Sequence, residues 1–320
     1  MDGLPQHVSV REVGLRDGLQ NEAPLPTEAK VRLLEALAST GVPRIELTAF
    51  VSPKAVPAMA DADLMAAAAL ALGDAGPEFS VLVASPGGAR RAVDAGITAV
   101  EYVVSAADGH SRANVKATTA EALARTSEVA EIVHDAGGRL EVIIATAWDC
   151  PFDGPTEPDR TVRVAAGALE RGADALAVAD TIGTATPGRV MALIRRIRAE
   201  LTPTAASPLP LGAHFHNTRG AGLACAWAAV QEGVTWLDAS VGGFGGCPFA
   251  PGASGNIATE ELVYLLEDSG VATGIDLNSA LAAAALAEEA VGKPGASNLL
   301  RAGDRKRGRT HASAGPDAAS

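Results

Sequence analysis

The sequence predicts a closed (β/α)8 barrel, and two patterns in it indicate this fold. Strand-like and helix-like stretches alternate eight times along the 320 residues. Several strand-like stretches, such as 81–83 and 142–144, are continuous apolar runs, which is typical of parallel strands covered on both faces. Eight such units in this length favour the barrel over an open, doubly wound sheet. The open sheet would need Gly-x-Gly-x-x-Gly after its first strand, and Gly14 to Gly18 do not fit that fingerprint.

The first unit shows how the elements are recognised. Residues 8–14 alternate apolar and polar side chains and stop at a glycine, which indicates a strand. Thr27 is a candidate N-cap for the helix that follows, and that helix is expected to end at Gly41. The second strand begins at Pro43. The remaining six strands are predicted to begin near Phe79, Ala99, Leu140, Ala175, Leu211 and Val234. The remaining helices are predicted at about 55–72, 86–95, 116–136, 158–171, 187–200, 218–232 and 257–268.

The chain divides into a barrel and a C-terminal part. The catalytic barrel is predicted to occupy residues 1–270, followed by an alanine-rich helical extension at 271–292. This extension would pack on the barrel or on a partner subunit, and a homodimer is the expected assembly. Residues 293–320 turn polar and basic and end in small side chains, so we expect a mobile tail. Contact of its basic run with an anionic cofactor or a neighbouring subunit is the alternative.

Composition limits the possible partners. The net charge of −12 argues against a nucleic-acid partner, which needs a clustered basic face, and against an anionic membrane surface. The three cysteines include no short-spaced pair, so neither a disulfide framework nor a zinc knuckle is expected, and a reducing compartment fits better. No apolar stretch reaches membrane-spanning length and no secretion signal is visible. A cytoplasmic location is therefore expected.

Four residues from opposite ends of the sequence are candidate metal ligands. Asp17 follows the first strand, His214 and His216 end the seventh, and Asn256 lies in the loop after the eighth. Closure of a barrel makes these strands neighbours, and the active site of such a barrel lies at their C-terminal ends. The two histidines are two positions apart, so they share one face of the strand. Packing histidines or a non-haem iron site are the alternatives, and the added amide favours Mg²⁺ or Mn²⁺.

Two charged residues near these ligands are candidate catalytic groups. Arg16 could stabilise a developing oxyanion, while the alternative is a surface ion pair with Glu12 or Glu22. Glu46 ends the second strand and could orient Arg16 or a metal-bound water. For Glu46 a salt bridge with Arg44 at the rim is an equally weighted alternative.

The glycine-rich loop 242–255 is a candidate lid. It lacks the Lys-Ser/Thr pair of a phosphate loop, so nucleotide binding is excluded there. A glycine-rich loop that carries one cysteine over a metal site is typical of a mobile lid with a proton donor, and Cys247 would be that donor. The alternative for Cys247 is a small buried apolar residue, which fits Cys150 and Cys225 better.

Long motifs in the sequence resemble one enzyme family. The chain resembles 3-hydroxy-3-methylglutaryl-CoA lyase, a member of the metal-dependent lyase and Claisen-condensing superfamily of (β/α)8 barrels. The likeness extends from about Val8 to Val291. The stretches that carry it are Gly14–Glu22, Phe50–Lys54, Asp180–Gly183, Gly246–Pro248 and Gly252–Asn256.

The resemblance implies a retro-Claisen cleavage of 3-hydroxy-3-methylglutaryl-CoA, the first-choice substrate, to acetyl-CoA and acetoacetate, as in leucine degradation. The four candidate ligands would hold the divalent ion, and the substrate's 3-hydroxyl would approach it. His214 or a metal-bound water would take the hydroxyl proton, Arg16 would steady the thioester enolate, and Cys247 would protonate it. Glu46, Asp180 and Gln20 would support these groups from behind.

The sequence also departs from the family's pattern. Where the lyases have arginine and tyrosine on the fifth strand, Glu141 and Ile143 align, and they would face the acyl end of the substrate. A serine used after the fourth strand is replaced by Ala107, although His110 and Asn114 keep that loop polar. A related 3-hydroxyacyl-CoA, such as citramalyl-CoA or a longer-branched analogue, is therefore an alternative substrate.

Two further alternatives belong to other functional classes. Asn217 replaces the aspartate that the lyases place after the second histidine, and it resembles the condensing branch. A Claisen-condensing acyltransferase that joins acetyl-CoA to a 2-oxo acid is the first alternative. A catalytically silent barrel that serves as a binding module is the second.

Overall fold

Parallel strands close into a barrel in the computed structural model, which describes residues 4–73, 76–202, 208–246 and 255–305. The order around the barrel is β1-β8-β7-β6-β5-β4-β3-β2, and β2 pairs back with β1. The predicted fold class is therefore confirmed. The eight barrel strands are β1 Ser9–Glu12, β2 Arg44–Phe50, β3 Glu78–Val83, β4 Ala99–Ser105, β5 Arg139–Ala145, β6 Ala175–Asp180, β7 Leu211–Phe215 and β8 Trp236–Ala239.

Helices alternate with these strands around the outside of the barrel. Most of these helices bury apolar side chains on their inner side, and the strands are covered on both faces and therefore mostly apolar. A short antiparallel hairpin, Asp149–Cys150 with Gly154–Pro155, follows β5. The helices are α1 Thr27–Ala38, α2 Ala62–Leu70, α3 Pro86–Asp94, α4 Asp108–Val115, α5 Thr119–Ala124, α6 Thr126–Asp135, α7 Pro158–Leu169, α8 Pro187–Leu201, α9 Gly222–Gln231, α10 Thr259–Asp268, α11 Leu277–Val291 and α12 Asn298–Ala302.

Two local predictions were wrong. Thr27 is the first residue of α1 rather than its N-cap, a position taken by Pro26, and its hydroxyl donates a hydrogen bond to Asp61 instead. The single helix predicted at 116–136 is two helices, α5 and α6, preceded by α4. Lys116 ends α4 in the left-handed region at φ 55°, and Thr118 then starts α5 with a capping box.

The C-terminal part lies against the barrel helices. Helix α11 packs on α1 and α10. The predicted mobile tail begins at Lys293, but a short helix, α12, forms within it, capped by the Ser297 hydroxyl. The Glu261 carboxylate on α10 accepts a hydrogen bond of 2.5 Å from the Asn298 backbone N–H and so ties this segment down. Residues 306–320 lie outside the described part of the chain.

The interior of the barrel contains charged side chains instead of only apolar layers. Arg11 is completely buried, and its Nη1 lies 2.6 Å from Glu101 Oε1 and 2.9 Å from Glu141 Oε1. Its Nε and Nη2 donate to the two carboxylate oxygens of Asp238 at 2.9 Å each. This buried ion network lies in the barrel interior, below the C-terminal ends of the strands. The interior is therefore polar at this level.

Among the helices of the described residues, none combines the length and the apolar content needed to cross a membrane.

Candidate metal centre and active site

Asp17 and the two predicted histidines meet at the C-terminal ends of the strands. Asp17 lies in a π-helical turn, Gly14–Gly18, directly after β1. Its Oδ2 is 4.0 Å from His214 Nε2 and 3.6 Å from His216 Nε2. One ligand atom from each of the three residues lies within 4.8 Å of the others, which is a spacing that one ion can bridge. The structure therefore brings together a possible metal-binding triad.

Unpartnered polar atoms around this triad fit a cation. Among the described residues, both ring nitrogens of His216 and the side-chain oxygen of Asn256 are buried without a hydrogen-bond partner. The Asn256 amide nitrogen donates to Asp17 Oδ2 at 2.7 Å and to the Phe244 carbonyl at 2.9 Å, which leaves Oδ1 as its free acceptor. Buried polar atoms are nearly always satisfied, so these acceptors indicate a ligand. Imidazole, carboxylate and amide donors suit a divalent cation.

The loop that carries Asn256 is held close to the histidines by backbone contacts. Asn256 forms an isolated bridge with His216, and the Asn217 backbone N–H donates to the Gly255 carbonyl at 2.9 Å. The Asn217 side chain accepts a hydrogen bond from the Gly222 N–H at the start of α9. Its amide therefore has a local structural role, and this weakens the case that it marks a condensing enzyme.

Gly245 lies in the loop after β8 and allows the backbone of this loop to approach the triad. Its φ is +115°, and a Cβ at this position would lie 2.4 Å from Asn256 Nδ2 and 3.1 Å from the Asp17 carbonyl oxygen. No ordinary Cβ tolerates a contact of 2.4 Å, so any side chain here must displace the Asn256 amide.

We expect Gly245→Ala to weaken divalent-metal binding by about tenfold or more, the effect of losing an oriented ligand support. Isothermal titration with Mn²⁺ measures this loss. Gly270→Ala is the matched control, because Gly270 also has a positive φ, +81°, but no atom within 4 Å of its Cβ position. Equal affinities in the two variants would show that the Asn256 contact does not matter.

Arg16 is fixed between two carboxylates at the edge of the site. Its Nε donates to Glu46 Oε1 at 2.6 Å and its Nη1 to Asp17 Oδ1 at 2.7 Å. Gln20 accepts a longer hydrogen bond of 3.4 Å from the same Nη1. Burial alone would lower the pKa of Arg16, but the Glu46 and Asp17 carboxylates outweigh it and raise that pKa above its ordinary value. Arg16 is thus a permanently charged, oriented cation facing the pocket.

The alternative partners considered for Arg16 and Glu46 are occupied elsewhere. Glu12 accepts hydrogen bonds from the backbone N–H groups of Gly14 and Val241, and Glu22 pairs with Lys293. Arg44 pairs with Glu78 and Glu141, so the rim pair between Arg44 and Glu46, the alternative for Glu46, does not form.

The electrostatics keep Asp17 ionised. Burial alone would raise the pKa of Asp17, but Arg16 and the two histidines outweigh it and hold the pKa well below its usual range. A carboxylate that is ionised at neutral pH is ready to bind a cation without first losing a proton.

Asp238 is a residue at the site that the sequence reasoning missed. Its Oδ2 lies 3.1 Å from His214 Nδ1, while both of its oxygens accept hydrogen bonds from Arg11. Burial alone would raise its pKa, but Arg11 and His214 hold it well below the usual range. One signal was available in the sequence: Asp238 is a lone carboxylate inside the apolar strand from Trp236 to Ala239.

Asp180 lies farther back than the other predicted residues. It accepts hydrogen bonds from the backbone N–H groups of Thr184 and Ala185, both at 2.9 Å, and so shapes the loop after β6. Burial raises its pKa. Cys225 is buried and donates to the Ala185 carbonyl, as expected for an apolar-like thiol. Cys150 is also buried. The predicted proton donor Cys247 lies outside the described residues.

A cavity of about 340 Å³ opens beside the triad. Ile143 lines it, as predicted, but Glu141 does not, because it lies deeper and pairs with Arg11 and Arg44. The expectation that Glu141 faces the acyl end was therefore wrong. On α4, His110 and Asn114 contribute the polar groups expected there. The apolar lining consists of Val51, Ala55, Val56, Leu82, Val83, Ala84, Val103, Val115, Ile143, Ala145 and Ala179.

The charge of this cavity is unevenly distributed. Among the described residues that line it, Arg16 is the one lysine or arginine, and it already pairs with Glu46 and Asp17. Val103 on β4 and Ile143 on β5, across the barrel from β1, form an apolar wall, while His110 and Asn114 on α4 are polar members of the same lining. The one arginine of the described lining therefore lies next to the triad, where it pairs with Asp17.

Comparisons with known proteins find relatives over most of the chain. A family model described as HMGL-like matches residues 7–287. The chain is 41% identical to the (R)-citramalyl-CoA lyase of Chloroflexus aurantiacus, over 90% of this chain and 92% of that one. It is 36% identical to a hydroxymethylglutaryl-CoA lyase of Bacillus subtilis, over 91% and 95%. Its fold matches an HMG-CoA lyase of Acinetobacter baumannii in complex with coenzyme A and 3-methylmalate, with TM-score 0.87, 35% identity and coverage of 94% and 96%.

Proposed function

Because this chain belongs to the HMGL-like family, and is thus a carbon–carbon lyase, we propose that it cleaves (R)-citramalyl-CoA to acetyl-CoA and pyruvate. The observation that carries this choice of substrate is the apolar wall opposite Arg16. 3-Hydroxy-3-methylglutaryl-CoA is the second candidate, favoured by the Bacillus relative.

The two substrates differ in where they carry their carboxylate. In citramalyl-CoA the carboxylate and the hydroxyl are on the same carbon, so both can face the triad at Asp17. In the glutaryl compound the carboxylate is one methylene farther from the carbon that bears the hydroxyl, and we place it toward Val103 and Ile143, which line the cavity. Burying a carboxylate against apolar side chains, with no cation to pair with it, costs roughly several kcal/mol. The cavity therefore favours the shorter acid.

The residues of the site fit the steps of a retro-Claisen cleavage. A divalent cation, Mg²⁺ or Mn²⁺, held by Asp17, His214, His216 and Asn256 would supply Lewis-acid polarisation of the substrate oxygens. Loss of the 3-hydroxyl proton lets the C2–C3 electron pair pass to the thioester. Pyruvate leaves, and the enolate of acetyl-CoA remains and takes up a proton. Arg16 is the fixed positive charge for that enolate oxygen.

The proton transfers are assigned by elimination and by position. His214 Nδ1 faces the Asp238 carboxylate, so only Nε2 offers a lone pair, and a nitrogen that binds a cation cannot also accept a proton. We therefore assign His214 as a ligand and leave the base role to a water molecule. Cys247 is assigned as the proton donor, since Gly246, the preceding residue, lines the cavity.

Turnover of the two thioesters tests the proposal. With purified protein and Mg²⁺ or Mn²⁺, we expect pyruvate from (R)-citramalyl-CoA with a kcat/KM at least about 10-fold above that for acetoacetate formation, which is about 1.4 kcal/mol. Faster formation of acetoacetate would make the glutaryl thioester the substrate. Free CoA released from acetyl-CoA plus a 2-oxo acid would instead indicate a condensing enzyme.

Ile143 gives a matched pair of variants for the specificity. Ile143→Tyr places a hydroxyl on the apolar wall, and we expect it to narrow the preference between the two thioesters by about 3- to 10-fold, the effect of one new hydrogen bond. Ile143→Leu keeps the wall apolar and should leave the ratio unchanged. If both variants have the same ratio of kcat/KM values for the two thioesters, the apolar wall does not determine the substrate preference.

A further inference from the structure

Three side chains in contact lie on the neighbouring strands β1, β8 and β7, and the third of them, His214, belongs to the triad. The strand register pairs Arg11 of β1 with Asp238 of β8, and Asp238 with His214 of β7. Residues paired in neighbouring parallel strands point to the same face of the sheet, here the barrel interior. The three side chains therefore form one continuous contact from the floor of the barrel to the metal ligands.

Asp238 is held in a fixed orientation within this row. Arg11 donates Nε to Oδ1 and Nη2 to Oδ2, both at 2.9 Å, so the two parallel hydrogen bonds fix the plane of the carboxylate. Asp238 is 1% exposed, so bulk solvent has little access to its oxygens. The same Oδ2 lies 3.1 Å from His214 Nδ1.

Both oxygens of Asp238 already accept hydrogen bonds from Arg11, so the proton of the contact between Oδ2 and His214 is assigned to the facing ring nitrogen, Nδ1. A neutral imidazole has one N–H, and Nε2 of His214 is then left with its lone pair, 4.0 Å from Asp17 Oδ2. His216 differs, because neither of its nitrogens has a hydrogen-bond partner among the described residues. The two histidines of the triad are thus not equivalent.

We propose that Asp238 is a positioning residue that fixes His214 as the Nδ1–H tautomer and aims its Nε2 at the metal site. This role rests on the metal site of the proposed function but not on the identity of the substrate. Carboxylates in this position behind a ligating histidine orient the ring and strengthen metal binding.

The tautomer can be measured in the unaltered protein. In ¹⁵N-histidine-labelled, metal-free protein at pH 8, two-bond ¹H–¹⁵N spectra distinguish the protonated from the bare ring nitrogen, and six histidines keep the spectrum tractable. His214→Gln assigns the signal. We expect the proton on Nδ1. A proton on Nε2, or a rapidly exchanging mixture like that of an exposed histidine, would overturn the proposal.

A pair of variants separates positioning from general stabilisation of the ion network. Asp238 and Glu141 are both buried carboxylates that pair with Arg11, but only Asp238 contacts His214. We expect Asp238→Asn to weaken Mn²⁺ binding by about 10- to 100-fold in isothermal titration, and Glu141→Gln to change it less than about twofold. An equal loss in both variants, or none in Asp238→Asn, would contradict the proposal.

The readouts keep this proposal distinct from the lyase assignment. Mn²⁺ binding is measured without thioester, so a protein that binds the ion as predicted but cleaves neither substrate would refute only the proposed function. Wild-type protein that binds no Mn²⁺ would overturn the metal site and the role of Asp238 together. If Asp238→Asn does not fold, the tautomer of the wild-type protein decides the question alone.

Discussion

Asp17→Asn is expected to lower kcat/KM for the thioester by about 10³-fold or more. The carboxylate is the one anionic member of the triad, and its Oδ2 lies 3.6 Å from His216 and 4.0 Å from His214. A neutral amide cannot replace its charge beside a divalent cation. A bound metal acting as a Lewis acid supplies several kcal/mol to the transition state, and each 1.36 kcal/mol is a factor of about ten in rate.

The experiment combines steady-state turnover with Mn²⁺ titration, and we expect Asp17→Asn to lose both turnover and Mn²⁺ binding. Asp149→Asn is the matched control, because Asp149 is similarly accessible, 16% against 13%, and also pairs with an arginine, Arg189, at 2.8 Å. It does not line the cavity. Turnover retained in Asp17→Asn, with normal metal dependence, would refute the triad.

Arg16→Lys is expected to lower kcat by about 10²- to 10³-fold, the usual effect of removing one group that stabilises an oxyanion. A lysine keeps the charge, but it cannot donate to Glu46 and Asp17 with two separate nitrogens as the guanidinium does. Glu46 is completely buried and would lose its partner. Leaving a buried charge unpaired costs roughly 3–5 kcal/mol, so the melting temperature should fall as well.

Arg195→Lys separates this effect from a general intolerance of the exchange. Arg195 also donates two hydrogen bonds to a single carboxylate, that of Glu232, but it lies on the surface. Its replacement should change neither kcat nor the melting temperature, because exposed pairs contribute little. If Arg16→Lys lowers the melting temperature while kcat remains normal, Arg16 has a structural role only.

The sequence was sufficient for the barrel and for the convergence of the triad. Periodicity identifies the strands, and closure of the barrel then requires that the loops after β1 and β7 lie close together. That is why Asp17 and His214 could be paired although nearly two hundred positions separate them in the chain. Helix boundaries were less certain, as Thr27 shows, because a proline and a nearby carboxylate decided the cap.

The buried ion network could not be derived in the same way. Arg11 and Asp238 are 227 positions apart, and whether they meet depends on the register between the first and last strands. Periodicity does not determine that register. For the same reason Glu141 was placed one layer too high, at the substrate instead of beside Arg11. The choice of Glu46 between Arg16 and Arg44 likewise depended on the side-chain directions.

The contact between Asn256 and Asp17 spans 239 positions and lies where the first strand meets the last. During synthesis on a ribosome β1 can meet β2 early, but its second neighbour, β8, exists only when most of the polypeptide has been made. The site proposed for the cation, which includes both Asp17 and Asn256, is therefore complete only when the barrel has closed. By mass action, ambient divalent ions would then favour polypeptides whose ends have already come together.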